Sequence, residues 1–468
     1  MGKDLRSFLE LVKQKIPEDF LQIEEEIGTQ YETTAWVKSY EREGKHPIFF
    51  FPRVKGFNRP IVSNLFGSRK VMALALDTSP GELIKTFREK QKNLIPPQYM
   101  TSGPVRDLVF EEDAVDLSKL PITFHHEGDS APYITGGILT VFDPETGKNN
   151  CSYHRLMVVG KNRLRTHIAP GRHLEYIFKR HEEKNIPLPC SIFIGHHPAL
   201  GLGSVAMTPR GIDEVEVMGG MLGEAIDLLK GERVECIYPA HAEIVLEAEI
   251  LPNIREEEGP FAEFTGYAAG LRKRQVILVK SLCMRKDAIY HDLIAGANEH
   301  LLLGSIAREA HFYELARSIS PYIQSVSIPL SGAGRFHCYV SLDKQNEGQV
   351  NQIGMALLGA DPMLKHIVIV DKDIDLFNER EVLWAIATRV QADRDIHIIP
   401  NCSGSDLDPS TQYPPGNEGK TAKMIVNATA KPSLNYEAYS RKNHIPKEVE
   451  NKIKDKIFGD PSGRGYSI

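Results

Sequence analysis

Between residues 113 and 298, short runs of apolar and β-branched residues recur: GGILTVFD, RLMVVG, CSIFIG, HAEIVLEAEIL and QVILVKSLCM. Segments rich in Pro, Gly, Asn and Asp separate them, as in DPETGKN, which is the pattern of strands joined by turns. Helical patterns interrupt the series at HLEYIFKRHEEK and at VEVMGGMLGEAIDLLKG. The expectation is a β-barrel-like central domain, 113–298, with inserted helices.

A chain of 468 residues is too long for one core and divides into two to four domains. Leu5, Phe8, Leu9 and Val12 fall at helical spacing, so the chain opens on an amphipathic helix. Thr33–Val37 and Ile48–Pro52 read as strands, the second apolar on both faces and therefore central. Ser79-Pro80 starts a helix over GELIKTFREKQK. Residues 1–112 thus form a mixed α/β region. Residues 299–319 read as one connector helix. From 320 on, QVNQIGMALLG, HIVIVD, NEREVLWAIATRV and DIHIIP alternate as helix, strand, helix and strand, which argues for βαβ units on a parallel sheet. The tail beyond 430 is expected to pack on a neighbouring surface or subunit. The fold class is a multidomain α+β or α/β chain.

Composition excludes several functions. Apolar residues make up 41% and charged residues 25%, ordinary for a globular enzyme. A net charge of −6 offers no general attraction to nucleic acid or to an anionic membrane, and Arg272-Lys273-Arg274 is too short to change that. The opening MGKDLRSFLE lacks a signal core, and Arg6 stands where a myristoylation motif wants Ser or Thr. No apolar run is long enough to span a bilayer. The six cysteines, at 151, 190, 236, 283, 338 and 402, lie far apart without CxxC, so reduced thiols and a cytoplasmic location are expected and zinc is not.

Chemistry concentrates in Asn150–His173. Asn150, Ser152, Tyr153, His154, Arg155, Arg172 and His173 surround a short apolar run there. A buried strand would avoid so many polar groups, because each needs a partner. Asn and His can share a hard cation with a carboxylate, and Glu214, Glu258 and Glu263 follow downstream. Four further segments stand out: GLGSVAMTPRGIDE, EEEGPFAEFTGY, His300–Arg308 on the connector helix, and Lys344-Gln345 with Gly348, which could hold a phosphate. Each has a bland reading too. GLG without a strand–GxGxxG–helix unit is a structural turn, EEE is a solvated turn, and a lone His or Arg is a core or ion-pair residue.

Taken together, NCSYHR, APGRH, MTPRGIDE, EGPFAEFTGY, KQNEG and HIVIVDKDID resemble the UbiD-like decarboxylases, which use prenylated flavin mononucleotide. The resemblance runs nearly the whole chain. It implies an N-terminal α/β region, a split β-barrel holding the flavin, and a C-terminal α/β domain used in oligomerisation, as a dimer or hexamer. It places Mn2+ or Mg2+ on Asn150, His173 and Glu214, and K+ beside Glu214 and the carbonyls around Cys151 and Ser204–Met207. Ser152, Tyr153, His154, Arg155, Arg172, Met207 and Lys344 join the cofactor contacts. His154 and Arg172 depart from what relatives commonly carry, so contacts near the isoalloxazine edge differ here. The catalytic set falls on Arg155, Glu258 and Glu263, with Glu263 as general acid, its proton held by an apolar pocket, and Glu258 charged and paired with Arg155. A separate flavin prenyltransferase supplies the cofactor.

The implied reaction is reversible, non-oxidative decarboxylation of an aromatic, heteroaromatic or α,β-unsaturated acid. His300 and Arg308 are eight residues apart, about 12 Å along a helix, and share a face. If that face borders the pocket, it favours a second acidic group, with furan-2,5-dicarboxylate as the leading substrate and phenolic acids next. An FMN-dependent reductase and a non-catalytic oligomeric scaffold are the competing functions.

Overall fold

A computed structural model describes residues 3–411, 419–431, 443 and 445–458. Its largest element is a nine-stranded antiparallel sheet. Eight strands follow one path: Tyr133–Ile134, Leu156–Val158, Arg163–Thr166, Arg272–Met284, Ile244–Glu258, Leu188–Ile194, Gly137–Asp143 and Lys148–Tyr153. The ninth, Leu108–Glu111, pairs with Arg272–Met284. The two end strands do not pair with each other among the described residues, so the sheet is split rather than closed.

The sheet is buried on both faces, which explains why its strands are continuous apolar runs instead of alternating ones. Neighbouring residues feed opposite cores. Ile138, Phe193, Val245 and Cys283 join one, while Leu139, Ile192, Leu246 and Leu282 join the other. Fully burying such side chains contributes about 1.5–3 kcal/mol each.

The N-terminal sheet runs Phe20–Gln22, Ile48–Phe51, Ile61–Ser63 and Tyr290–Asp292, so its last strand arrives from far along the chain. Conversely, Gln98–Tyr99 pairs with Asp227–Lys230, and Leu108–Glu111 joins the large sheet. A division at residue 112 therefore cuts through connected sheets.

The helix Asn298–Ile319 leads into a five-stranded sheet ordered Ile323–Ser327, His337–Leu342, His366–Asp371, Lys420–Asn427 and Ile396–Ser403. The middle three strands are parallel, as the βαβ pattern implied, whereas both edge strands pair antiparallel, so the sheet is mixed. Its faces again alternate, Val340 to one core and Tyr339 to the other.

Three local expectations are corrected. Thr33–Val37 lies in a helix, Glu32–Arg42, because Thr33, Thr34 and Val37 are buried at helical spacing and Tyr40 packs edge-on against Phe49 at 5.2 Å. The helix expected through VEVMGGMLGEAIDLLKG stops at Leu222, and Asp227–Lys230 is a strand. Gly223, at φ +83°, caps that helix in the left-handed region, which ends it. The glycines of GLG sit in a short helix, Pro198–Ser204, not in a turn. Most of the tail beyond 430 lies outside the described residues. No helix among the described residues is long and apolar enough to cross a membrane.

Candidate active site

Lys148–Tyr153 forms one end of the large sheet and has no strand on its far side among the described residues, so its Asn149 and Cys151 N–H groups donate to side chains there. Arg155 follows directly, before Leu156–Val158. Its Nη2 donates to Glu258 Oε2 at 2.8 Å, and its Nη1 donates to Glu263 Oε1. Glu258 ends the long strand Ile244–Glu258 and is fully buried; a cis Gly259-Pro260 bond then turns the chain toward Glu263. Sequence reasoning paired Arg155 with Glu258 alone, but the guanidinium holds both carboxylates.

A second group forms where two helices begin. His173 and Glu214 are the first residues of His173–Glu183 and Glu214–Leu222. Their N-terminal ends favour negative charge. Glu214 Oε2 accepts from Asn150 Nδ2 at 2.9 Å and from the Cys151 N–H, while Oε1 lies 3.7 Å from His173 Nδ1. Asp213 caps the second helix and also accepts from the Asn149 backbone and side chain, tying this helix to the edge strand. An amide, an imidazole and a carboxylate thus converge. Among the described residues no three His, Cys, Asp or Glu gather as a metal cluster.

Both groups face one cavity of about 540 Å³, within the usual span of roughly 300–1,000 Å³ for cofactor and ligand sites. Asn150, Ser152, Tyr153, His154, Arg155, Arg172, His173, Met207, Glu214, Glu263, His300 and Arg308 all line it. Glu258 stands behind the wall. Lys344 is elsewhere: its Nζ is taken up by Glu347, Thr429 Oγ1 and the Ala430 carbonyl at the end of the C-terminal sheet, so it does not meet a phosphate in this cavity. Thr135 Oγ1, Arg155 Nε and His167 Nε2 belong to lining residues and are buried without a hydrogen-bond partner. Buried polar atoms rarely stay unpaired, so this wall is shaped for a polar ligand.

Burial pushes the cavity imidazoles down. His154 falls to about 4, with Ser152 Oγ 2.9 Å from its Nε2. His167 falls to about 3 through burial, helped by Arg274 and Arg155. His300 falls to about 3 through burial and then Arg335. All three are neutral near pH 7.

Three models of 3-octaprenyl-4-hydroxybenzoate carboxy-lyase domains match the chain in order: the N-terminal domain over 14–91, the Rift-related domain over 98–298 and the C-terminal domain over 301–428. The anhydromevalonate phosphate decarboxylase of Methanothermobacter thermautotrophicus is 35% identical over 437 residues, covering 93% of this chain and 99% of that protein. The chain belongs to the UbiD family of carboxy-lyases. A phenolic acid decarboxylase of Sedimentibacter hydroxybenzoicus is 29% identical, covering 91% of each protein. Among solved structures, the UbiD-class enzyme HmfF from Pelotomaculum thermopropionicum in complex with FMN superposes with a TM-score of 0.89 at 36% identity, over 97% of this chain and 99% of that one. An evolved dimeric form of HmfF holds prFMN and superposes at 0.86 with 34% identity, over 97% of this chain and all of that one.

For this UbiD-family chain, sequence reasoning missed Arg335. It comes from beyond the connector helix, is half-buried, and lies over the Phe264 ring at 4.3 Å. Its side chain crosses the helix at Gly304, where a Cβ would sit 2.7 Å from Nη2. Burial, then Arg308, lowers its guanidinium to about 9. Arg308 pairs with Asp361 at 3.0 Å, but Arg335 has no carboxylate within ion-pair distance among the described residues. The Gly at 304, one helical turn from both His300 and Arg308, was the available signal.

Proposed function

We propose that this UbiD-family carboxy-lyase decarboxylates, reversibly, a small heteroaromatic diacid, with furan-2,5-dicarboxylate as the leading substrate. The observation that carries this reading is Arg335. Arg335 has no carboxylate within ion-pair distance among the described residues, and the Asp361 that pairs with Arg308 at 3.0 Å is also the acid that acts on Arg335, so two guanidiniums share one carboxylate. A ligand carboxylate on this wall supplies the missing charge, and a second carboxylate at Arg155 and Glu263 is the one that reacts. The 35% identical relative is named for a substrate with a phosphate as its second anion, which fits the same demand. Phenolic acids are the second reading, favoured by the neutral His300 as partner to a ring hydroxyl.

The cavity size, the unpaired wall atoms and the FMN and prFMN complexes of HmfF support prenylated FMN as cofactor, made by a separate flavin prenyltransferase. When bound, it supplies the electron sink that amino-acid side chains lack. Asn150, His173 and Glu214 offer donors suited to Mn2+ or Mg2+ for binding its phosphate, with K+ beside Glu214. Arg172 and the two helix N-termini favour the same anion. The protein's own part is positional. Arg155 orients the reacting carboxylate, the buried walls exclude water, and Glu263, which reaches the cavity where Glu258 does not, delivers the proton that replaces CO2.

The test is a panel of furandicarboxylate, furoate, hydroxybenzoates and cinnamate, run on holoenzyme and on the Arg335→Ala and Arg308→Ala variants. A diacid preference lost in both variants supports the proposal. Wild-type activity on cinnamate equal to that on the diacid rules it out.

A further inference from the structure

We infer that Tyr133 is a positioning residue for the reaction, acting through Glu258 to leave Glu263 as the proton carrier. This rests on the roles given to Arg155, Glu258 and Glu263 above.

Glu258 is fully buried, behind the cavity wall. Each of its oxygens has one side-chain donor: Arg155 Nη2 on Oε2 at 2.8 Å, and the Tyr133 hydroxyl on Oε1 at 3.2 Å. The phenol therefore fixes the rotation of this carboxylate, which Arg155 alone leaves free. Burial, reinforced by Glu258, raises the phenol well above its usual range, so it remains a neutral donor.

Tyr133 is itself held from two sides. Its backbone pairs with Met157, two residues beyond Arg155, so the phenol is in register with the strand that follows the arginine. Its ring packs at 4.2 Å on Phe261, inside the loop that joins the two glutamates. The residues just before it grip the same loop. Ala262 N–H donates to Asp129 Oδ1 at 2.8 Å, and Ser130 N–H donates to the Pro260 carbonyl at 3.0 Å. One short segment, 129–133, thus spans from the Arg155 strand to the 258–263 loop. It sets how the guanidinium meets both carboxylates. With Glu258 occupied by two donors away from the cavity, Glu263 is the carboxyl left at the wall.

The ring packs in the small apolar cluster of Ala131, Tyr133, Met157, Phe261 and Ala295, so Tyr133→Phe removes the hydrogen bond and keeps the packing. Holoenzyme bearing Tyr133→Phe should lose about 10- to 100-fold in kcat, the scale of a small misplacement of reacting groups, with KM within about twofold. Its affinity for FMN, read by fluorescence quenching, and its Tm should stay near wild type. Asp129→Ala, which loosens the loop from its other anchor, should show the same fall in kcat at constant KM, and it serves if Tyr133→Phe melts early. Wild-type kcat in both variants, or a rise in KM at unchanged kcat, overturns the inference. Glu263→Gln in parallel separates the two levels: if that variant is impaired while Tyr133→Phe is normal, Tyr133 alone is misassigned, and if Glu263→Gln is normal, the underlying catalytic roles fail.

Discussion

At the scale of single residues, the two glutamates on Arg155 are chemically alike and differ by placement. Glu263 faces the cavity and Glu258 does not. Replacing Glu263 by Gln keeps the shape and removes the transferable proton. Turnover should fall by about 10²–10⁴-fold, with cofactor content unchanged, and solvent deuterium should no longer enter the product. Near-normal turnover moves the acid to Glu258. Another buried carboxyl, Glu299, gives a stability prediction. Burial first, with Asp292 and Glu41 adding to it, raises Glu299 from its ordinary 4.5 to about 8. The folded protein then holds a proton between these values that the unfolded chain releases. The stability tied to this group is complete below about pH 4.5 and is lost as pH climbs toward 8. Gln at 299 mimics the protonated form at every pH. The Tm of Glu299→Gln relative to wild type should therefore rise from about pH 5.5 to about pH 8.5. A flat difference across that range would show that Glu299 does not titrate there.

At the scale of elements, two helix N-termini and an edge strand make the Asn150–His173–Glu214 group, and Glu214 is the link among them. Its carboxylate satisfies the Cys151 N–H as well as the Asn150 amide, so charge and register are joined in one side chain. Glu214→Gln keeps the length but weakens both the donor set and the strand contact. Bound metal and bound flavin should fall together in that variant, measured by elemental analysis and by absorbance. Full flavin with full metal would remove Glu214 from the site. Much of this was legible beforehand, because NCSYHR, APGRH and MTPRGIDE carry the residues in contiguous motifs. Lys344 was misread for the opposite reason. It is equally polar and follows a strand, but its own domain already supplies its three partners.

For the whole molecule, the C-terminal unit shows an unusual surface. Leu383 is 60% exposed, Ile398 69%, Phe377 59% and Met355 56%, all on the five-stranded sheet and its helices and loops. Met355 is on the helix packed against one face of that sheet and Leu383 on the helix packed against the other, so of these the Leu383 side is the one proposed for association. We propose homo-oligomerisation through this domain, and light scattering at micromolar concentration should then give at least a dimer. Leu383→Glu combined with Ile398→Glu places charge on that surface and should shift the protein toward monomer without lowering the Tm of the central domain. A wild-type monomer would refute the assignment.

Local pattern determined the strand runs of the large sheet, the helix Asn298–Ile319 and the motifs that carry Asn150, Arg155, His173, Glu214, Glu258 and Glu263, because periodicity and residue type act over a few neighbours. It misled where tertiary packing outweighed propensity, as in the β-branched Thr33–Val37, which is helical because its buried face meets Phe49 and its neighbours. Only the assembled structure placed Arg335 beside His300 and Arg308, Tyr133 against Glu258, and Tyr290–Asp292 in the N-terminal sheet. Those neighbours lie tens to hundreds of residues apart, and no local spacing encodes them. They meet because distant strands share a sheet and because the helix Asn298–Ile319 carries His300 past the loop that holds Arg335.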